Sequence, residues 1–244
     1  MSRFVWRPTL AAAAVAGLCV GLATAGPGWA QAGAPILAHA DFAGAPASDD
    51  ARRLADWVVA ARDNAGMPFV IVDKLAAEVF VFDVHGRLGG AAPALLGLAR
   101  GDDIIPGIGD RRLADIGPSD RVTPAGRFVA SLGQDLGEKD VLWVDYQSGV
   151  ALHRVITTNP REHRLRRLAS PSPLQRRISY GCINVPAAFY DAVIDPAFAA
   201  TNGVVYILPE TRPLAQVFAG VGPLAGAEAS GSAPSGTEIK HFGD

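Results

Sequence analysis

Phe69-Val70-Ile71-Val72-Asp73 and Glu78-Val79-Phe80-Val81-Phe82-Asp83, separated only by Lys74-Leu75-Ala76-Ala77, decide the fold class of this 244-residue chain. Both runs are dense in β-branched and aromatic side chains, and each is too short to be a helix with a buried face. His85-Gly86 ends the second run, so the pair reads as a β-hairpin. Working outward, Thr123-Pro124-Ala125-Gly126 makes a turn that feeds the apolar strand Phe128-Val129-Ala130. Further strands are read at 141–146, 150–156 and 204–208, whereas 86–120 is rich in Gly, Pro and Asp and reads as a long decorated loop. Helices are few. Ser48 caps one that carries Asp49 and Asp50 in its first turn and Leu54, Trp57, Val58 and Ala61 at helical spacing. It ends near Asn64-Ala65-Gly66, and another helix runs over 186–194 behind Pro186. The expected fold is mostly β with a few short helices, over a domain at 67–212. A linker and helix precede it at 33–66, and 213–244, small and polar, reads as a disordered tail.

The chain opens with Arg3 and Arg7, then an almost unbroken apolar run without charge over 10–25, then Gly26-Pro27-Gly28 and small residues up to Ala32. This three-part pattern is that of a secretory signal peptide, assigned to 1–32. It directs the rest of the chain to the periplasm or cell envelope; left uncleaved, it would tether the chain to the membrane. The balance of 22 basic and 24 acidic residues gives a net charge of −2, which argues against a nucleic-acid partner. Oligomeric state is not legible.

Two cysteines occur, Cys19 inside the export segment and Cys182 far downstream. After export Cys182 has no intramolecular disulfide partner, so its thiol invites a chemical role. It stands in Ser179-Tyr180-Gly181-Cys182-Ile183-Asn184, with His153 upstream on a strand. A free thiol is largely protonated at neutral pH, and an imidazole that takes its proton makes it a nucleophile. Gly181 permits a tight turn that can aim the amides of Tyr180, Gly181 and Cys182 at one point, an oxyanion hole. Such chemistry needs no cofactor. The histidines lack zinc-type spacing, so no metal is expected. Trp143 and Tyr146, on the strand before His153, are candidates for lining a substrate groove. The pairs Asp49-Asp50 and Asp102-Asp103 read as a helix start and a loop.

His153 followed by Ser179-x-Gly181-Cys182-Ile183-Asn184 resembles the signature of the YkuD-type L,D-transpeptidases. The Thr-Pro-x-Gly turn at 123–126 and the opening hairpin are similar to other elements of that family, so the resemblance covers residues 68–210. It implies a β-rich catalytic domain in which Cys182 attacks the diamino-acid carbonyl of a peptidoglycan tetrapeptide stem and expels the terminal D-alanine. The thioester would then pass to a stem amine, an amino acid or water, so an L,D-carboxypeptidase or other peptidoglycan hydrolase is the nearest alternative. A non-catalytic wall-binding module is the reading from another class. The resemblance further implies that the backbone carbonyl of Arg154 orients His153 and that Asn184 and Ser179 organise the cysteine loop. Two features depart from the pattern. Tyr180 stands where the family commonly has His, and the segment between His153 and Ser179 is long and holds seven basic residues at 161–177. Arg176 and Arg177, within it, are candidates for gripping stem-peptide carboxylates through bidentate contacts.

Overall fold

Strand β1 (Phe69–Asp73) is buried along its whole length, as an unbroken apolar run predicts for a strand covered on both faces. The computed structural model describes residues 39–135 and 140–222. The segment read above as a signal peptide, most of the tail and the first residues of the linker lie outside them. β1 pairs antiparallel with β2 (Glu78–Phe82), giving the expected hairpin. β2 in turn pairs with β3 (Leu88–Pro93), and β4 (Leu96–Gly97) follows. These two strands occupy the start of the segment read as loop. Leu88-Gly89-Gly90-Ala91-Ala92-Pro93 has the residues of a turn but is an edge strand, whose pairing on one side only tolerates Gly and Pro.

β5 (Gly126–Gln134), β6 (Asp140–Asp145) and β7 (Val150–Arg154) form an antiparallel run, and β8 (Arg177–Ser179) and β9 (Ile183–Val185) flank Cys182. With β10 (Gly203–Ile207) the main sheet has eight strands in the order β3-β2-β1-β10-β5-β6-β7-β9. β1 lies parallel to β10 and β7 parallel to β9, while β4 and β8 make a separate parallel pair. The chain is therefore mostly β.

Each face of the main sheet carries its own core. On one, helix α1 (Asp49–Ala61) lays Leu54, Ala55 and Val58 against Phe69, Phe80, Phe82 and Tyr206. Ser48 accepts from the Ala51 amide at 3.1 Å and donates to Asp73 at 2.6 Å, so a single hydroxyl caps the helix and ties it to β1. Phe42, Leu214, Phe218 and Val221 join this core. Residues 213–222, assigned above to a disordered tail, are thus packed and include helix α5 (Leu214–Val217). Three apolar side chains placed four and three residues apart outweigh the small, polar composition that follows them.

On the other face, Val70, Val72, Val205, Leu142, Leu152, Ile183 and Val185 form the second core. It is closed by the helical stretch that starts at α3 (Ala187–Phe189), passes through a π turn at Tyr190–Ile194 and ends in α4 (Asp195–Phe198). Between β7 and β8 the basic insertion folds as α2 (Arg164–Leu168) and short 3-10 turns on either side. No helix among the described residues is long and apolar enough to cross a membrane.

Candidate active site

Parallel pairing of β7 with β9 sets Leu152 opposite Ile183, His153 opposite Asn184 and Arg154 opposite Val185. Leu152 and Ile183 point into the core and are fully buried. Side chains alternate along a strand, so Ala151, His153, Cys182 and Asn184 share the opposite face. The sequence placed Cys182 in a loop between a strand and a helix; it is the last residue before a short strand. That strand brings it beside His153.

His153 Nδ1 lies 2.7 Å from the carbonyl oxygen of Arg154, which can only accept, so Nδ1 carries the proton. Nε2 is then the basic nitrogen, and it accepts from the side-chain amide of Asn184 at 3.1 Å. The side chain of Arg154 is anchored by Asp191 at 2.6 Å and by both carboxylate oxygens of Asp140 at 3.1 Å, and it lies over the Tyr190 ring. These contacts hold the backbone that aims the imidazole.

The Cys182 residue is partly exposed, and its Sγ faces the carbonyl of Gly149 at 3.5 Å. Desolvation raises the thiol pKa above its ordinary value; the Ala151 amide, the charge of Arg164 and the residue's own amide oppose that rise. Left alone, this thiol is protonated at neutral pH and needs a base.

Ser179 shapes the turn before the cysteine. Its Oγ donates to the Cys182 carbonyl at 2.6 Å and accepts from the Gly181 amide at 3.1 Å. The Gly181 amide is therefore committed inside the turn, and of the three amides proposed for an oxyanion hole only those of Tyr180 and Cys182 remain. Gly181 itself has φ +132°, and a Cβ there would stand 2.8 Å from the Val122 carbonyl oxygen. Only glycine fits. Its carbonyl accepts from Thr123 Oγ1 at 2.8 Å, and that hydroxyl accepts from the Gly97 amide at 2.9 Å. The Thr-Pro-x-Gly turn thus pins the cysteine loop. Tyr180 is half-buried, with the Arg121 guanidinium over its ring at 3.9 Å.

Trp143 pairs with Ala151, which puts it in the same outward row as Cys182, two strands away and roughly 10 Å distant. Its indole N–H donates to Gln134 at 3.3 Å, and Tyr146, 77% exposed, meets it edge-on at 5.0 Å. The two aromatics thus stand as a pair on the site's face.

Arg176 and Arg177 do not face this groove. Arg176 is 8% exposed and is spent on Glu78, Ser170 and the Ala77 carbonyl. Arg177, 9% exposed, binds Glu210 through both terminal nitrogens and the Lys74 carbonyl through one of them. Both are structural, so the bidentate grip expected of them is made to the protein's own acids and carbonyls. Arg164 is the insertion residue that reaches the site: it donates to Asn184 Oδ1 at 2.6 Å and to Glu162 at 2.5 Å.

Sequence reasoning passed over a buried charge cluster beneath the cysteine loop. Lys74 donates to Asp102 at 2.7 Å and to the Thr123 carbonyl at 3.0 Å, and lies 3.6 Å from Glu210. Desolvation pushes the Asp102 carboxyl up. Hydrogen bonds from Lys74, from Thr211 and from the amides of Glu210 and Thr211 outweigh it and hold the group well below the carboxylate range. A lysine in an otherwise apolar hairpin connection was the available signal. Among the described residues, no group of three or more His, Cys, Asp or Glu could hold a metal ion.

No protein-family model and no curated protein matches the chain. Solved structures do, at low similarity. The helical cell shape determining protein Pgp2 from Campylobacter jejuni is 13% identical with a TM-score of 0.40, over 60% of this chain and 49% of that one. An L,D-transpeptidase from Xylanimonas cellulosilytica is 16% identical with a TM-score of 0.35, over 58% and 60%. The catalytic domain of the E. faecium L,D-transpeptidase is 15% identical with a TM-score of 0.33, over 58% and 96%. The chain thus spans about half the length of Pgp2.

Proposed function

We propose that this chain is a cysteine acyltransferase of the L,D-transpeptidase kind, acting on peptidoglycan stem peptides outside the cytoplasmic membrane. The observation that carries the reading is that Cys182, immediately before β9, and His153, on the parallel neighbour β7, fall on the same outward side, with the imidazole held by the Arg154 carbonyl. A thiol whose pKa is raised and an imidazole whose Nδ1 is turned to a backbone carbonyl are the two halves of a proton-transfer pair.

In the proposed reaction, Sγ exchanges its contact with Gly149 for one with His153 Nε2, displacing the Asn184 amide, and passes its proton there. The thiolate attacks the carbonyl that joins the stem's diamino acid to the terminal D-alanine. The oxyanion falls to the amides of Tyr180 and Cys182. As the C–N bond breaks, the imidazolium returns its proton to the leaving amine, and a thioester on Cys182 remains. An acceptor amine then attacks the thioester, gives its proton to Nε2 and releases the thiol, which takes that proton back. Water in place of the amine turns the same intermediate into a carboxypeptidase.

Purified protein incubated with tetrapeptide muropeptides tests this reading. Cross-linked dimers with release of D-alanine establish transfer, and tripeptide with D-alanine establishes hydrolysis on the same scaffold. Unchanged muropeptide, retained by the protein with no adduct at Cys182, identifies a wall-binding module and overturns the reading.

A further inference from the structure

Helix α1 covers only part of one face of the main sheet. Its core lies over β2, β1 and β10, where Phe80, Phe69 and Val204 are buried. Val129 pairs with Val204 and so continues the same face onto β5, yet it is 57% exposed. From there the face runs on across β6 and β7 to the cysteine. Register draws one row over it: Ser131 opposite Trp143, Trp143 opposite Ala151, and Ala151 level with Cys182, one residue before the Leu152–Ile183 pair. The row holds no charged side chain. Trp143 is half-buried, and Tyr146, 77% exposed, stands edge-on to it at 5.0 Å with 67° between the ring planes. Both rings are held in place. The indole N–H donates to the Gln134 carbonyl at 3.3 Å, and Gly133 leaves room for the ring, since a Cβ there would stand 2.8 Å from Trp143 Cδ1. Tyr146 opens a turn whose Gly149 amide donates to its carbonyl at 3.3 Å. Gly109 packs so closely on that turn that a Cβ would fall 2.0 Å from the Gln147 carbonyl oxygen. Asp145, the adjoining acid, is spent on Ser148 at 2.5 Å and on the Gln147 amide at 3.1 Å.

We propose that Trp143 and Tyr146 form a saccharide subsite, which takes a pyranose ring of the glycan strand that carries the donor stem peptide. A neutral sugar ring presents C–H groups that stack on the electron-rich face of an aromatic, while its hydroxyls bond to neutral polar groups at the rim. The corner supplies both, two rings at a steep angle with the exposed Ser131 and Gln147 beside them. A peptide strand fits less well. It would need backbone partners at a free strand edge, and β6 is already paired with β5 on one side and β7 on the other. The distance also agrees with a sugar. Trp143 lies roughly 10 Å from Cys182, two strand spacings. Three residues of extended chain, the length from the glycan attachment to the carbonyl attacked, span about 10 Å as well. Rings already held in place lose little freedom on binding. The identity of the glycan rests on the proposed acyl transfer, whereas the saccharide site stands on the aromatic corner alone.

The test is a titration of Cys182→Ala protein, which cannot turn over, with the tetrasaccharide of N-acetylglucosamine, followed by the indole ¹H–¹⁵N resonances. Trp143 is assigned by the signal lost in Trp143→Phe. Its resonance is expected to shift saturably, while that of Trp57, packed on the α1 core, stays in place. Tyr146→Ala changes a side chain that is mostly in solvent, so the fold is kept, and it is expected to weaken the tetrasaccharide Kd about 3- to 10-fold. With the active protein, a disaccharide-tetrapeptide is expected to have a KM below that of the sugar-free tetrapeptide by about the same factor. Tyr146→Ala should shrink that ratio towards one. A Trp143 signal unmoved by the tetrasaccharide, an unchanged Kd in Tyr146→Ala, or equal KM for the two substrates in wild type overturns the proposal. Saturable binding at Trp143 with neither substrate turned over by wild type would instead defeat the transferase reading and leave the saccharide subsite standing.

Discussion

Thr123 holds Gly181 by the carbonyl, at 2.8 Å, and thereby sets the height of the loop that presents Cys182. The same hydroxyl accepts from the Gly97 amide, and the Thr123 carbonyl receives Lys74 from below. Thr123→Val keeps the volume and leaves the Gly181 carbonyl and the Gly97 amide without this partner. Thr123→Val is expected to cost about 1–3 kcal/mol in urea unfolding and to slow Cys182 acylation disproportionately, whereas Thr123→Ser retains most of both. Equal acylation rates in Thr123→Val and wild type would detach this contact from the nucleophile.

Removing the base should expose the thiol's own ionisation. In His153→Ala, carbapenem acylation at neutral pH is expected to fall by about 10²–10⁴-fold. Because desolvation raises the Cys182 pKa, the residual rate should climb with pH into the alkaline range, where the thiolate forms unaided. Stopped-flow or timed mass spectrometry across pH measures this, and a variant as fast as wild type at pH 7 would remove His153 from the chemistry.

Asp102 links acidity to stability. Its carboxyl is held below the ordinary range in the folded state, so between the folded value and about 3.9 the unfolded chain binds more protons. The resulting stability is fully present above the unfolded pKa and is lost as pH falls through this window. Chemical denaturation at pH 6 and pH 3 should show a smaller loss in Asp102→Asn than in wild type. Lys74→Met, which strands Asp102 without its buried cation, should cost about 3–5 kcal/mol at pH 7.

Two arginines of the insertion, Arg161 and Arg166, are exposed. Arg166 lines a crevice with Thr157, Asn159, His163 and Arg164, and is exposed to solvent. Arg166→Glu is expected to raise KM for an anionic stem peptide about 2- to 5-fold with kcat and Tm little changed, the scale of a solvent-screened ion pair. Arg177→Met should do the reverse, lowering Tm by removing the two hydrogen bonds that Arg177 makes to the buried Glu210. A KM effect from Arg177→Met in a protein of unaltered stability would contradict the burial described above.

How far the fold is legible varies with the physics of each segment. Phe69 to Asp73 and Glu78 to Phe82 announce themselves because central strands need apolar residues at every position. Leu88 to Pro93 does not, since an edge strand paired on one side accepts Gly-Gly and Pro, which read as turn. The same limit hides Ile183 to Val185: three residues carry too little periodicity to distinguish a strand from a loop. Cys182 and His153 were readable as a candidate nucleophile and base from their chemistry, and the Arg154 carbonyl as a candidate orienting group from the family resemblance alone. Arg164 was not separable from its neighbours in the insertion. Seven basic residues look alike in sequence, and only the folded backbone decides which ones meet Glu78 and Glu210 and which one meets Asn184.

The central claim is that Cys182 is an acyl carrier activated by His153, and intact-mass spectrometry of protein treated with a carbapenem tests it most directly. The predicted result is a single adduct of the full carbapenem mass on wild type, mapped to the peptide containing Cys182 and absent from Cys182→Ala. An unmodified wild-type protein after prolonged incubation, or an adduct that persists in Cys182→Ala, would contradict it.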